Sequence, residues 1–139
     1  MYATIGESFE HTQTLSEEEI TAFARSVGDH NPLHHDHAVA GASRYGGIIA
    51  CGPHYASILI SQTATHFSRG TTMVGLEFSL SFVAPALPGV ELRFRWEVTD
   101  VVWKEKLNGE IVSLSGSVSD AAGKLLLRAT GKVLVAASL

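Results

Sequence analysis

Between Tyr45 and Ser68 the chain carries no Asp, Glu, Lys or Arg. A run of that kind has to leave water. Gly46-Gly47, Gly52-Pro53 and His54 interrupt it. Its strongest apolar part falls short of the ~20 residues a bilayer requires, so no membrane span is expected. The reading that remains is a helix enclosed within a globular domain. Pro53 suits the first turn of that helix, where a missing N–H costs nothing, and the helix should run to about Phe67. Tyr55, Ile58, Leu59 and Gln62 share one face, and Ala56, Ile60 and Ala64 another. A helix apolar almost all round is expected to be covered on most sides.

After Ser68-Arg69-Gly70 the period changes from helical to alternating. Leu76, Phe78, Leu80 and Phe82 alternate with Glu77, Ser79 and Ser81, and Val90, Leu92, Phe94, Trp96 and Val98 alternate with Glu91, Arg93, Arg95 and Glu97. The parity slips near Thr99-Asp100, which predicts a bulge. Asn108-Gly109 is a hairpin signal. Val112, Leu114 and Val118 alternate with serines, and a turn at Ala121-Ala122-Gly123 leads into a last strand, Lys124 to about Ala136. Four long strands at hairpin spacing predict an antiparallel sheet with one wet face. An earlier extended segment spans residues 7–14.

The first helix has explicit punctuation. Ser16 and Glu19 form a capping box, with Leu15 and Ile20 placed as its hydrophobic staple. Ile20, Phe23, Ala24 and Val27 fall at i, i+3, i+4 and i+7, which predicts one apolar face. Gly28 stops the helix. The next residues, Asp29-His30-Asn31-Pro32-Leu33-His34, cannot continue it. Pro32 lacks an N–H and pushes Asn31 out of the α region. The segment is therefore a turn able to bring the Asp29 carboxylate and the His34 imidazole to one small volume, where they would share a water. Asn31 is expected to bond local backbone through its side chain. Asp36 is expected to cap a short helix over about 38–43.

Gly28, Asp29, Asn31, Pro32, Leu33, His34 and then Ala40, with Phe23 upstream, resemble the motif of the MaoC-like R-specific enoyl-CoA hydratases (hydratase-2). Ser26 and Val27 depart from the small and apolar residues usual before the glycine. The resemblance extends over nearly the whole chain in element order. Both it and the order of elements lead to the same fold class: α+β, a hotdog fold, in which a curved antiparallel sheet wraps one long helix. A single domain over residues 1–139 is expected.

The resemblance implies reversible syn hydration of a trans-2-enoyl thioester to the (3R)-3-hydroxyacyl product, with Asp29 and His34 as the catalytic pair. It implies a backbone oxyanion donor at Gly52, the second residue of a family His-Gly pair that here reads Cys51-Gly52. A helix N-terminus supplies free N–H groups and a positive dipole end. Gly28, Asn31 and Pro32 would support the motif, and Cys51, His54 and Tyr55 are candidates for the pocket. CoA or acyl carrier protein would carry the substrate, and no other cofactor is called for. Hotdog proteins usually pair their sheets edge to edge, so a homodimer or higher homo-oligomer is expected.

Composition closes off other classes. The chain has 10 Lys and Arg against 14 Asp and Glu, a net charge of −4, with no basic cluster. Nucleic acid is thus not an expected partner. His30, His34, His35 and His37 crowd together, but their spacing matches no standard zinc site, and no metal is expected. The single cysteine, Cys51, excludes an intrachain disulfide and suits a reducing compartment. No basic-then-apolar leader opens the chain, so a cytoplasmic location is expected. Because fold alone does not decide function, a hotdog thioesterase and a non-catalytic acyl-thioester binding module stand as alternatives.

Overall fold

The computed structural model describes residues 1–139. The elements run β1 (Ser8–Thr14), α1 (Glu17–Ser26), α2 (His37–Ala42), α3 (Gly52–Phe67), β2 (Thr72–Phe82), β3 (Glu91–Lys104), β4 (Gly109–Asp120) and β5 (Leu125–Ala136). One five-stranded sheet has the order β1-β3-β4-β5-β2. Every neighbouring pair is antiparallel. The helix α3 packs against all five strands, which is the hotdog arrangement.

The alternation read from β3 is that of the buried face. Leu92, Phe94, Trp96 and Val98 are buried, and Glu91, Arg93, Glu97 and Thr99 are exposed. The register shifts between Val98 and Asp100 where the parity slips. Trp96 is wholly buried and its Nε1–H donates to the Leu59 carbonyl of α3 at 2.7 Å. A methyl group on Gly116 would lie 2.5 Å from the Trp96 ring, so β4 has glycine where the indole crosses it. The turn before β4 is longer than a two-residue hairpin. Glu105–Leu107 form a 3-10 turn and Asn108 follows in the left-handed region, at φ 47°.

The enclosure of α3 on most sides holds: of its 16 residues only Pro53, Ser61, Ala64 and Thr65 are exposed. Two expectations from patterning need correction. Leu76 and Phe82 are 47% and 52% exposed. Their strand, β2, is an outer edge of the sheet, and alternation does not tell an edge strand from a central one. Val27 is 52% exposed, because it is the C-cap of α1 and the chain turns away there.

A buried carboxylate ties down the start of the chain. Glu110 is 1% exposed and accepts hydrogen bonds from the backbone N–H groups of Tyr2 and Ala3, at 2.8 and 3.0 Å. Two amide donors offset the desolvation that would otherwise expel the charge.

Candidate active site

The site begins at the end of α1. The capping box is formed in both directions, Glu19 N–H to Ser16 Oγ and Ser16 N–H to Glu19 Oε1, each at 3.1 Å. Both staple residues, Leu15 and Ile20, are fully buried. At the other end Gly28 takes φ 79°. Its N–H donates to Arg25 and the Asp29 N–H reaches back to Ala24. That pair of bonds is a Schellman termination, and it needs a residue with no Cβ penalty at the left-handed position. Asp29 is thereby hung from the helix end.

The following turn is held by its own side chains. Asn31 Oδ1 accepts from the Leu33 N–H at 3.1 Å. Asp29 Oδ1 accepts from the Asn31 N–H at 3.0 Å. Pro32 opens a 3-10 turn, Pro32–His34, which delivers His34 into the interior at 5% exposure. There its Nδ1–H donates to the Ile49 carbonyl at 2.7 Å. The Ile49 N–H in turn donates to Leu33, and Thr21 Oγ1 donates to the His34 carbonyl. The histidine is fixed by three separate segments.

His34 Nε2 lies 3.4 Å from Asp29 Oδ2. With Nδ1 committed as a donor, the neutral ring offers only a lone pair at Nε2. Two acceptors at that distance do not bond each other. A water lying beside the pair, within hydrogen-bond reach of both atoms, would donate one hydrogen to each and keep its own lone pairs free.

Of the pair, His34 but not Asp29 lines a cleft with the N-terminus of α3. His34, Arg44, Tyr45, Ile49 and Ala50 line a cleft of about 600 Å³ together with Gly52, Pro53 and Tyr55 from the start of α3 and Phe82 to Pro85 from the end of β2. The Gly52 N–H donates to no backbone carbonyl, and Pro53 has no N–H, so Gly52 is the free donor at this helix end. Burial pushes the Tyr55 phenol up to about 12, which keeps it neutral.

The two other pocket candidates do not line the cleft. Cys51 is the N-cap of α3 and is 1% exposed. Its thiol is held above the ordinary cysteine range by burial, so it stays protonated. His54 is turned away, its ring stacked on Phe23 at 4.3 Å. Its Nδ1 is buried without a hydrogen-bond partner. Burial holds this imidazole below the usual histidine range, against a smaller pull from Glu19. Below the unfolded value of roughly 6.5 the unfolded chain binds a proton that the folded chain refuses. Stability should fall as pH drops from about 6.5 toward the folded value. His54→Phe keeps the stack and removes the titration, so its melting temperature should decline less between pH 6.5 and 5. Equal slopes in the two proteins would contradict this.

Of the neighbouring histidines, His30 and His37 are exposed, whereas His35 Nε2–H donates to the Asp29 carbonyl at 2.7 Å and braces the turn. No group of three or more His, Cys, Asp or Glu side chains is placed to hold a metal ion. The roles of Ile49, Arg44 and Phe82 in the cleft had no sequence signal, since each depends on chain segments meeting in space.

A long helix against an antiparallel sheet, with an acid and an imidazole converging near its N-terminal end, defines a hotdog-fold protein of the MaoC-like class. The family profile described as MaoC like domain matches residues 2–118, and the chain belongs to that family. Three solved structures are similar over nearly all of it. The unliganded R-hydratase PhaJ1 from Pseudomonas aeruginosa is 26% identical, with a TM-score of 0.84 over 96% of this chain and 83% of that one. The (R)-hydratase from A. caviae involved in PHA biosynthesis is 26% identical, with a TM-score of 0.81 over 94% and 96%. The MaoC-like dehydratase from Rhodospirillum rubrum is 28% identical, with a TM-score of 0.83 over 96% and 92%. No curated protein matches the sequence. No helix is long and apolar enough to cross a membrane.

Proposed function

We propose that this protein adds water reversibly, and syn, across the double bond of a trans-2-enoyl thioester to give the (3R)-3-hydroxyacyl thioester. The observation that carries the reading is the 3.4 Å approach of His34 Nε2 to Asp29 Oδ2, with His34 lining the same cleft as Gly52. The stereochemistry rests on the family.

Water held by Asp29 and His34 attacks Cβ as one of its O–H bonds breaks toward the pair. The π electrons of the alkene move to the thioester oxygen, where the Gly52 N–H and the dipole of α3 stabilise the enolate. The enolate then collapses, and Cα takes up a proton from the pair. Water delivered from one side and the proton returned from that side make the addition syn. Asp29 orients or deprotonates the water, and His34 shares it and relays the proton. These steps need no metal or redox cofactor. CoA or acyl carrier protein carries the acyl group.

Wild-type protein should bleach the enoyl absorbance of crotonyl-CoA or a longer enoyl-CoA without releasing free thiol. Thiol release would mark a thioesterase instead. Tight binding of acyl-CoA with neither change would mark a binding module.

A second copy of the chain is part of the reading. The outward residues of the β1 edge are Ser8, Glu10, Thr12 and Thr14, whereas the β2 edge exposes Val74 and Leu76. An unpaired apolar edge favours strand pairing, so β2 should meet β2 of a partner in a homodimer. Sedimentation equilibrium should give twice the chain mass, and Leu76→Lys should lower it; a monomeric wild type would refute the pairing.

A further inference from the structure

Phe82 lines the cleft from the outer edge of the sheet. It ends the edge strand β2 and leaves 52% of its surface exposed, so it is not a core residue. Yet its ring edge is in tight contact with Gly52. A methyl group built on Gly52 would lie 2.7 Å from Phe82 Cε1, 2.9 Å from Cζ and 3.3 Å from Cδ1.

The direction of that contact matters. Cα–Cβ bonds in a helix tilt toward the N-terminus, and the free N–H of a first-turn residue points the same way. The ring therefore flanks the donor at the end of α3. Its position is constrained. The ring meets Tyr55 edge-on, with centroids 5.8 Å apart at 88°. The next two residues, Val83 and Ala84, both donate to the Leu126 carbonyl, and the Ala50 N–H donates to Ala86. The backbone behind the ring is pinned to β5 and to the segment that precedes α3.

We infer that Phe82 is a specificity-determining residue that excludes a substituent at Cα of the acyl group. The inference rests on the proposed hydration at this site. A thioester oxygen bonded to the Gly52 N–H brings its own carbonyl carbon beside the ring. On one side of that carbon is sulfur, which is the same in every substrate. On the other is Cα, the only variable position within one bond. A hydrogen there passes the ring edge, and a methyl meets it.

The test compares crotonyl-CoA with (E)-2-methylbut-2-enoyl-CoA, which differ by one methyl at Cα. The readout is the ratio of their kcat/KM values, measured in wild type, Phe82→Leu and Phe82→Ala. Intrinsic reactivity cancels when ratios are compared between proteins. One methyl in an apolar pocket is worth roughly 10–200-fold. Phe82→Ala should shrink the preference for crotonyl-CoA by at least about tenfold, with Phe82→Leu between the two. A purely structural role would lower both rates and leave the ratio alone, and that result overturns the inference. Where a variant has lost turnover, calorimetric affinities for butyryl-CoA and 2-methylbutyryl-CoA read the same exclusion in binding. Wild type that discriminates in binding but does not hydrate would sink the hydration reading while keeping the ring as selector. No binding and no turnover by wild type rejects both.

Discussion

His34→Ala is expected to lower kcat for enoyl-CoA hydration by about 10²–10⁴-fold, the range of general acid–base assistance. The Nδ1–H is spent on the Ile49 carbonyl at 2.7 Å, so Nε2 is the ring's one free basic atom, and it faces Asp29. Alanine removes both the base and the clamp. It also leaves a buried carbonyl unpaired, at about 1–3 kcal/mol, so circular dichroism and thermal melting must accompany the assay. Asp29→Asn serves as the companion, because Asp29 is only half-buried and its Oδ1 bond to Asn31 can be kept. It should lose a similar factor. The double variant should be little worse than either single one, since residues that act as a unit are not additive. Unchanged rates in a folded His34→Ala protein would end the proposal.

Trp96→Ala is expected to cost about 3–5 kcal/mol of folding stability, measured by urea denaturation. Small domains have roughly 5–15 kcal/mol in total, so the variant should approach the threshold of unfolding. The indole is fully buried, seated over Gly116 and tilted against Phe78 at 6.0 Å. Its N–H joins the middle of β3 to the middle of α3. Trp96→Phe keeps most of the apolar volume and gives up the hydrogen bond, so its loss should be much smaller. A loss under about 1.5 kcal/mol for the alanine variant would show that the core does not depend on this contact.

The features legible in the sequence were those carried by neighbours along the chain. The capping box at Ser16 and Glu19, the stop at Gly28, the cap at Asp36 and the slip near Thr99 involve residues at most a few positions apart, and the structure has each of them. What the chain alone did not disclose was set by distance in space. Nothing near His34 announces that its ring is held by Ile49, 15 residues away. Nothing near Phe82 announces Gly52. The exposure of Leu76 and Phe82 was not legible, because alternation reads the same on an edge strand as on a central one. The site was readable to the extent that Asp29 and His34 lie in one turn. Its cleft was not, because three remote segments build it.

The Schellman turn at Gly28 hangs the acid from a helix tip, and Pro32 sets the imidazole on the loop beyond it. Neither group is borne by a strand. The five-stranded framework is thereby relieved of the chemistry: its outer surface is free to diverge while the reacting groups stay where they are.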